Sequence, residues 1–165
     1  MSSSKNLAGW LLALSALLAG CATPLRTSAP ASQSASVWTG RMALQVENSP
    51  ERSFSASFEL RGSAEAGELS LFSPLGGTLA AMSWAPGAAT LRAGGQTRQF
   101  ESLDALASQA TGTPIPVAAL FDWLAGVNTP VAGWQANLAG IAQGRLSARR
   151  SDPPPSADLR VVFDH

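Results

Sequence analysis

Charge is scarce in this chain. Of its 165 residues only 13% are Asp, Glu, Lys or Arg, about half the share usual in a soluble domain. The formal net charge is +0, so the basic footprint that nucleic acid demands is missing. A single cysteine excludes an internal disulfide framework. A single histidine, His165, leaves the interior without the commonest general base and metal ligand. There is no tyrosine. Serines are plentiful, but nucleophilic catalysis needs a base beside the nucleophile. The carboxylates are scattered over turns and polar faces and show no metal-ligand clustering. Gly94-Gly95 lacks the following helix and lysine of a phosphate loop. These absences argue against an enzyme, a metal site, a bound cofactor and a nucleic-acid partner.

What is present begins with a leader. Lys5, the one lysine, precedes an apolar stretch of thirteen residues, Leu7 to Ala19. A bilayer span needs about 20 residues, so this stretch reads as the core of a signal peptide over residues 1–20. It runs into Leu18-Ala19-Gly20-Cys21. Small residues followed directly by cysteine resemble a bacterial lipobox, in which the thiol of Cys21 is acylated and becomes the new N-terminus. The chain beyond it has ten arginines against eleven acids, so anchoring falls to acyl chains, at about 0.8 kcal/mol per buried CH₂. Ala22 follows the cysteine, where an Asp typically retains such lipoproteins in the inner membrane. The lipobox thus implies the outer membrane, periplasmic face. Residues 21–36 are the acylated cysteine and a linker of Ala, Ser, Thr and Pro, too poor in apolar bulk to fold.

A domain over residues 37–165 follows. Trp38, Met42, Leu44 and Val46 alternate with polar residues, which predicts a half-buried strand. Phe54, Ala56, Phe58 and Leu60 alternate with Ser53, Ser55, Ser57 and Glu59. Leu69 and Leu71, Leu79 to Trp84, Thr90 to Ala93 and Gln96 to Phe100 continue the pattern between Gly- and Pro-rich turns, predicting a meander of about six antiparallel strands. The period then changes. Ser102 is a candidate N-cap with Asp104 in the first turn, and Thr111-Gly112 ends that helix. Val117, Leu120, Phe121 and Leu124 form a second helical stripe that ends near Gly126. Weaker strands are expected over Val131 to Leu138 and Ala142 to Arg150, with a last one through Leu159, Val161 and Phe163. The fold class is mainly β. Two short helices are all there is to cover the apolar sheet face. That face either closes on the helices or curves into an incomplete barrel around a lipid-sized cavity.

Certain segments carry a resemblance. Leu69-Ser70-Leu71-Phe72 leads into Ser73-Pro74-Leu75-Gly76. Later, Gly112-Thr113-Pro114-Ile115-Pro116 leads into Asp122-Trp123-Leu124-Ala125-Gly126. With the lipobox, this order resembles the LolB family of outer-membrane lipoproteins over residues 37 to 126. The resemblance implies an incomplete antiparallel barrel, a half-barrel with a helical lid over an apolar cavity. It implies a receptor that takes acylated lipoprotein cargo from a LolA-like periplasmic carrier and inserts it into outer-membrane lipid without ATP. The alternatives are a lipid-binding sensor or scavenger on the same fold, and a structural lipoprotein with a closed core. The expected acyl-chain cavity residues are Met42, Leu44, Phe54, Phe58, Leu69, Leu71, Met82 and Trp84 from the sheet, with Leu120 and Trp123 from the lid. Trp123 suits packing of the lid on the sheet better than contact with a ligand. Pro74, Leu75 and Gly76 are the implied membrane-insertion loop. After Gly126 the chain departs from the family pattern, and a shorter barrel is expected there.

Overall fold

The computed structural model describes residues 36–111 and 115–164, with the side chains of residues 110 and 111 left aside. The leader, Cys21, the linker before Ser36, Gly112 to Pro114 and His165 lie outside the described residues. The alternating segments form strands where the pattern places them: β1 (Ser36–Val46), β2 (Phe54–Gly62), β3 (Gly67–Phe72), β4 (Thr78–Ala85), β5 (Ala88–Ala93) and β6 (Gln96–Phe100). Two helices follow, α1 (Leu103–Thr111) and α2 (Val117–Leu124), then β7 (Trp134–Asn137), β8 (Arg145–Arg150) and β9 (Ala157–Asp164). All nine strands join one antiparallel sheet in the order β6-β5-β4-β3-β2-β1-β9-β8-β7. The two edge strands, β6 and β7, do not pair with each other, so the barrel is incomplete.

Alternation decides which side chains face inward. Met42, Leu44 and Val46 of β1 are buried, as are Ala56, Phe58 and Leu60 of β2 and Leu69 and Leu71 of β3. In register they stack side by side: Met42 opposes Ala56, Phe58 opposes Leu71, and Leu69 opposes Met82. The helices cover this face. The Ser102 hydroxyl accepts the Ala105 N–H at 3.1 Å, so Ser102 caps α1. α1 packs on β5 and β6 and against α2. In α2, Ala119 and Trp123 are buried along with the expected stripe, leaving only Ala118 and Asp122 exposed. The helix is thus sunk into the concave face rather than laid across it. Each of its large apolar side chains contributes about 1.5–3 kcal/mol by burial, which is why two short helices persist.

The last third differs in detail from expectation. The pattern over Val131 to Leu138 yields only the four residues of β7. Residues Ile141–Gln143 form a 3-10 turn that ends at Gly144, whose φ of +66° breaks any strand through it. Strand β8 therefore starts at Arg145 rather than Ala142. The three prolines from Pro153 to Pro155 leave the sheet between β8 and β9, as proline's missing donor requires.

Candidate functional site

Two features built by this sheet carry functional interest, and both depend on which end of the strands they occupy. The turns 47–53, 73–77, 94–95 and 151–156 all lie at one end of the sheet by register. At the opposite end, Phe121 of α2 meets Trp38 edge-on at 5.6 Å and Trp84 at 6.1 Å between ring centroids. This aromatic cluster closes the concave face there. The Trp84 Nε1–H donates to the Ser63 carbonyl at 3.0 Å, which fixes the indole.

The first feature is an apolar cavity between the sheet and the helices. Its lining contains Met42, Phe54, Leu69, Leu71, Met82 and Leu120 of the expected set, joined by Ala107, Ile115, Val117 and Leu159. Four expected residues are elsewhere. Leu44, Phe58, Trp84 and Trp123 are buried in the core but do not line the cavity. Trp123 acts as a packing residue: its Nε1–H donates to the Thr129 carbonyl at 2.9 Å, while the Thr129 hydroxyl donates to Asp122 Oδ2 at 2.6 Å. These two bonds pin the C-terminal end of α2. The cavity is also much smaller than the lipid-sized space expected. Its volume is about 40 Å³, room for about three waters, because α2 fills the concavity.

The second feature is the loop between β3 and β4. The Ser73 N–H donates to the Gly77 carbonyl at 2.8 Å, and the Gly76 N–H donates to the Ser73 carbonyl at 2.9 Å. The Ser73 hydroxyl accepts the Gly77 N–H at 3.1 Å. Gly76 holds φ at +83°, a conformation that favours glycine. The closed base leaves Leu75 at the tip, 98% exposed, with Pro74 and Gly76 exposed beside it.

Charge is sparse around both features. Among the described residues the tightest ion pair lies on the outer face, where Arg61 Nε sits 2.7 Å from Glu59 Oε1. That hydrogen bond holds the Glu59 carboxyl below, and the Arg61 guanidinium above, its ordinary range. Among the described residues no group of three His, Cys, Asp or Glu could hold a metal. No described helix is long and apolar enough to cross a membrane. Sequence reasoning missed one buried charge. Arg150 is 3% exposed, on the inward phase of β8 with Leu146 and Ala148. Extending the alternation from Leu146 to the end of that strand would have found it. Burial holds its guanidinium below the ordinary range.

Similarity to known proteins matches this architecture. The family model described as outer membrane lipoprotein LolB matches residues 36–154, well past the Gly126 limit of the sequence resemblance. The outer-membrane lipoprotein LolB of Bordetella petrii is 38% identical over 143 residues, 83% of this chain and 70% of that protein. The Bordetella pertussis protein of the same name is 38% identical over 70% of this chain and 60% of its own length. That of Cupriavidus metallidurans is 35% identical over 91% of this chain and 75% of its own. With the half-barrel, the covering helices and the family model agreeing over most of its length, the chain belongs to the LolB family of outer membrane lipoproteins.

Proposed function

We propose that this protein receives acylated lipoproteins from a LolA-like periplasmic carrier and inserts them into the outer membrane. In this reading it works at the periplasmic face, held there by acylation of Cys21. One observation carries the reading: an inward apolar face under helices and a fully exposed leucine, both built by one sheet, with Leu75 on a turn at the end opposite the aromatic closure. Relatives named outer-membrane lipoproteins support the location. No catalytic step is required. Acyl chains cost about 0.8 kcal/mol per CH₂ to expose, so they pass from one apolar site to a better one, with the bilayer as the deepest.

The cavity volume adds a condition. A space of about 40 Å³ cannot hold an acyl chain, so α1 and α2 must shift outward for cargo to enter. The hydrogen bonds at Thr129 restrain the C-terminal end of α2, and Leu120 is one of the two α2 side chains, with Val117, that line the cavity. The test mixes the full chain carrying Cys21→Ala, kept soluble, with a carrier loaded with an acylated lipoprotein, and adds liposomes. Cargo is expected to leave the carrier, bind this protein and reach the liposomes. Cargo that stays on the carrier sinks the receptor role. Cargo that binds and is never delivered supports the sensor or scavenger reading instead.

A further inference from the structure

The inward-pointing Arg150 has no role in the transfer scheme. Its Nη2 donates to the Pro155 carbonyl at 2.7 Å. Its Nε is buried and has no hydrogen-bond partner among the described residues, and Arg150 enters none of their ion pairs. A buried guanidinium without a counter-charge is costly. The backbone around it is tightly set: Gly133 holds φ at +76°, and a Cβ there would lie 1.8 Å from the Asp152 carbonyl oxygen. Only glycine lets the β8–β9 loop close over the end of the strand.

Arg150 lines a half-open pocket of about 190 Å³ between α1, the start of α2 and the ends of β7 and β8. Its walls are mostly apolar, including Pro116, Val131 and Pro153. Ala107 and Ile115 line both this pocket and the apolar cavity, so they are the shared wall between the two. Asp104 is the carboxylate among the lining residues and is solvent-exposed, where water screens it.

We propose that the Arg150 pocket binds the anionic group, a carboxylate or a phosphate, of an acyl amphiphile whose chain enters the neighbouring apolar cavity. The proposal rests on the acyl-binding reading of that cavity. The guanidinium, which has no counter-charge among the described residues, supplies the positive charge for the anion. Its buried Nε–H becomes a donor to the anion only when the pocket wall over that atom gives way, and the apolar walls take the first carbons of the chain. Fatty acids and phospholipids share this chemistry.

The test uses the full chain carrying Cys21→Ala, so that its own acyl groups do not compete. Dodecanoate, dodecyl phosphate and dodecanol are compared by calorimetry, with inorganic phosphate as competitor. Both anionic probes are expected to bind at least about tenfold tighter than the alcohol. Arg150→Met should remove the preference of the site for the anionic probes over the alcohol. Stronger binding of dodecyl phosphate identifies a phospholipid head, and stronger binding of dodecanoate a fatty acid. Equal affinities for charged and neutral probes, or a preference that survives Arg150→Met, overturn the proposal while the acyl cavity stands. Binding of no probe overturns both. Inorganic phosphate that displaces dodecyl phosphate at equal concentration shows a bare anion site and overturns the lipid assignment. Should Arg150→Met not fold, Arg150→Lys decides: it keeps the charge and lacks Nε, so the preference should fall, and an unchanged preference overturns the proposal.

Discussion

Leu75 and Leu120 are the same side chain in opposite surroundings. Leu75 is 98% exposed and Leu120 is 1% exposed. The backbone makes the difference. Leu120 lies on the stripe of a helix sunk into the sheet, with Phe121 and Leu124 buried beside it. Leu75 lies on a loop whose hydrogen bonds all run across its base, between Ser73, Gly76 and Gly77. It has no wall to fold against. Burying a leucine contributes about 1.5–3 kcal/mol. At Leu120 the fold has already taken that stabilisation; at Leu75 it remains available to a partner. The comparison teaches that the large apolar side chains of the described residues divide into those that hold the fold together and a few left outside it, of which Leu75 is the most exposed.

Identical substitutions at the two sites test that division. Leu120→Glu should produce the largest effect. It buries a carboxylate with no partner, which costs several kcal/mol or forces its protonation, and chemical denaturation should show a largely unfolded protein at neutral pH. Leu120→Ala should fold with a loss of about 2–5 kcal/mol. Because Leu120 lines the cavity, it should also bind short acyl probes at least as well as the parent, read by probe fluorescence. If stability were unaffected, α2 would not be a packed element.

Leu75→Glu should change stability by no more than about 0.5 kcal/mol. Its effect belongs to delivery: cargo should still pass from carrier to protein, and its release into liposomes should slow, with cargo accumulating on the variant. Normal delivery would remove the loop from the insertion step. Destabilisation with loss of both steps would mean that Leu75 is packed after all.

The smallest expected effect lies on the outer face. Arg61→Ala should return the Glu59 carboxyl upward toward its ordinary range, followed by NMR titration. The sign is fixed: Glu59 is held low in the folded protein by the Arg61 hydrogen bond, so any stabilisation from the pair is present above the ordinary carboxylate range and is lost as pH falls. Arg61 is exposed and Glu59 half-buried on the outer face, where water screens the pair, so unfolding midpoints should scarcely move. A Glu59 titration that ignores the substitution would show that the pair does not persist in solution.

Much of this was legible beforehand, for local reasons. The Ser and Glu residues between Phe54 and Leu60 give β2 its face, and Ser102 marks the start of α1, because alternation and capping depend only on neighbours in sequence. Pairing between distant segments was not legible. Nothing near Leu159 announces that it lies beside Leu44 or that it helps line the cavity. The volume left under α2 was equally hidden. It depends on how far Ala119 and Trp123 let the helix sink, and a stripe drawn through Val117, Leu120, Phe121 and Leu124 does not report depth. Leu75 stands out in the sequence by its neighbours Pro74 and Gly76, whereas Leu44, Phe58 and Trp84 are buried without lining the cavity, a difference that a pattern of alternation does not carry.

The position of β1 has a kinetic consequence. Its neighbours are β2, which follows at once, and β9, which is the last strand described. The meander from β1 to β6 can zip by successive hairpins, each closing a short loop. The seam from Thr39 opposite Asp164 to Val46 opposite Ala157 has to wait for almost the whole chain, and loop-closure entropy is paid before that contact rewards it. Until then β1 offers an open hydrogen-bonding edge, with Met42 and Leu44 on its apolar face. Such an edge can pair with another chain as readily as with its own. Pairing with β9 therefore closes an edge of β1 that could otherwise pair with another chain, although β9 lies beyond the residues 36–154 by which the family is matched.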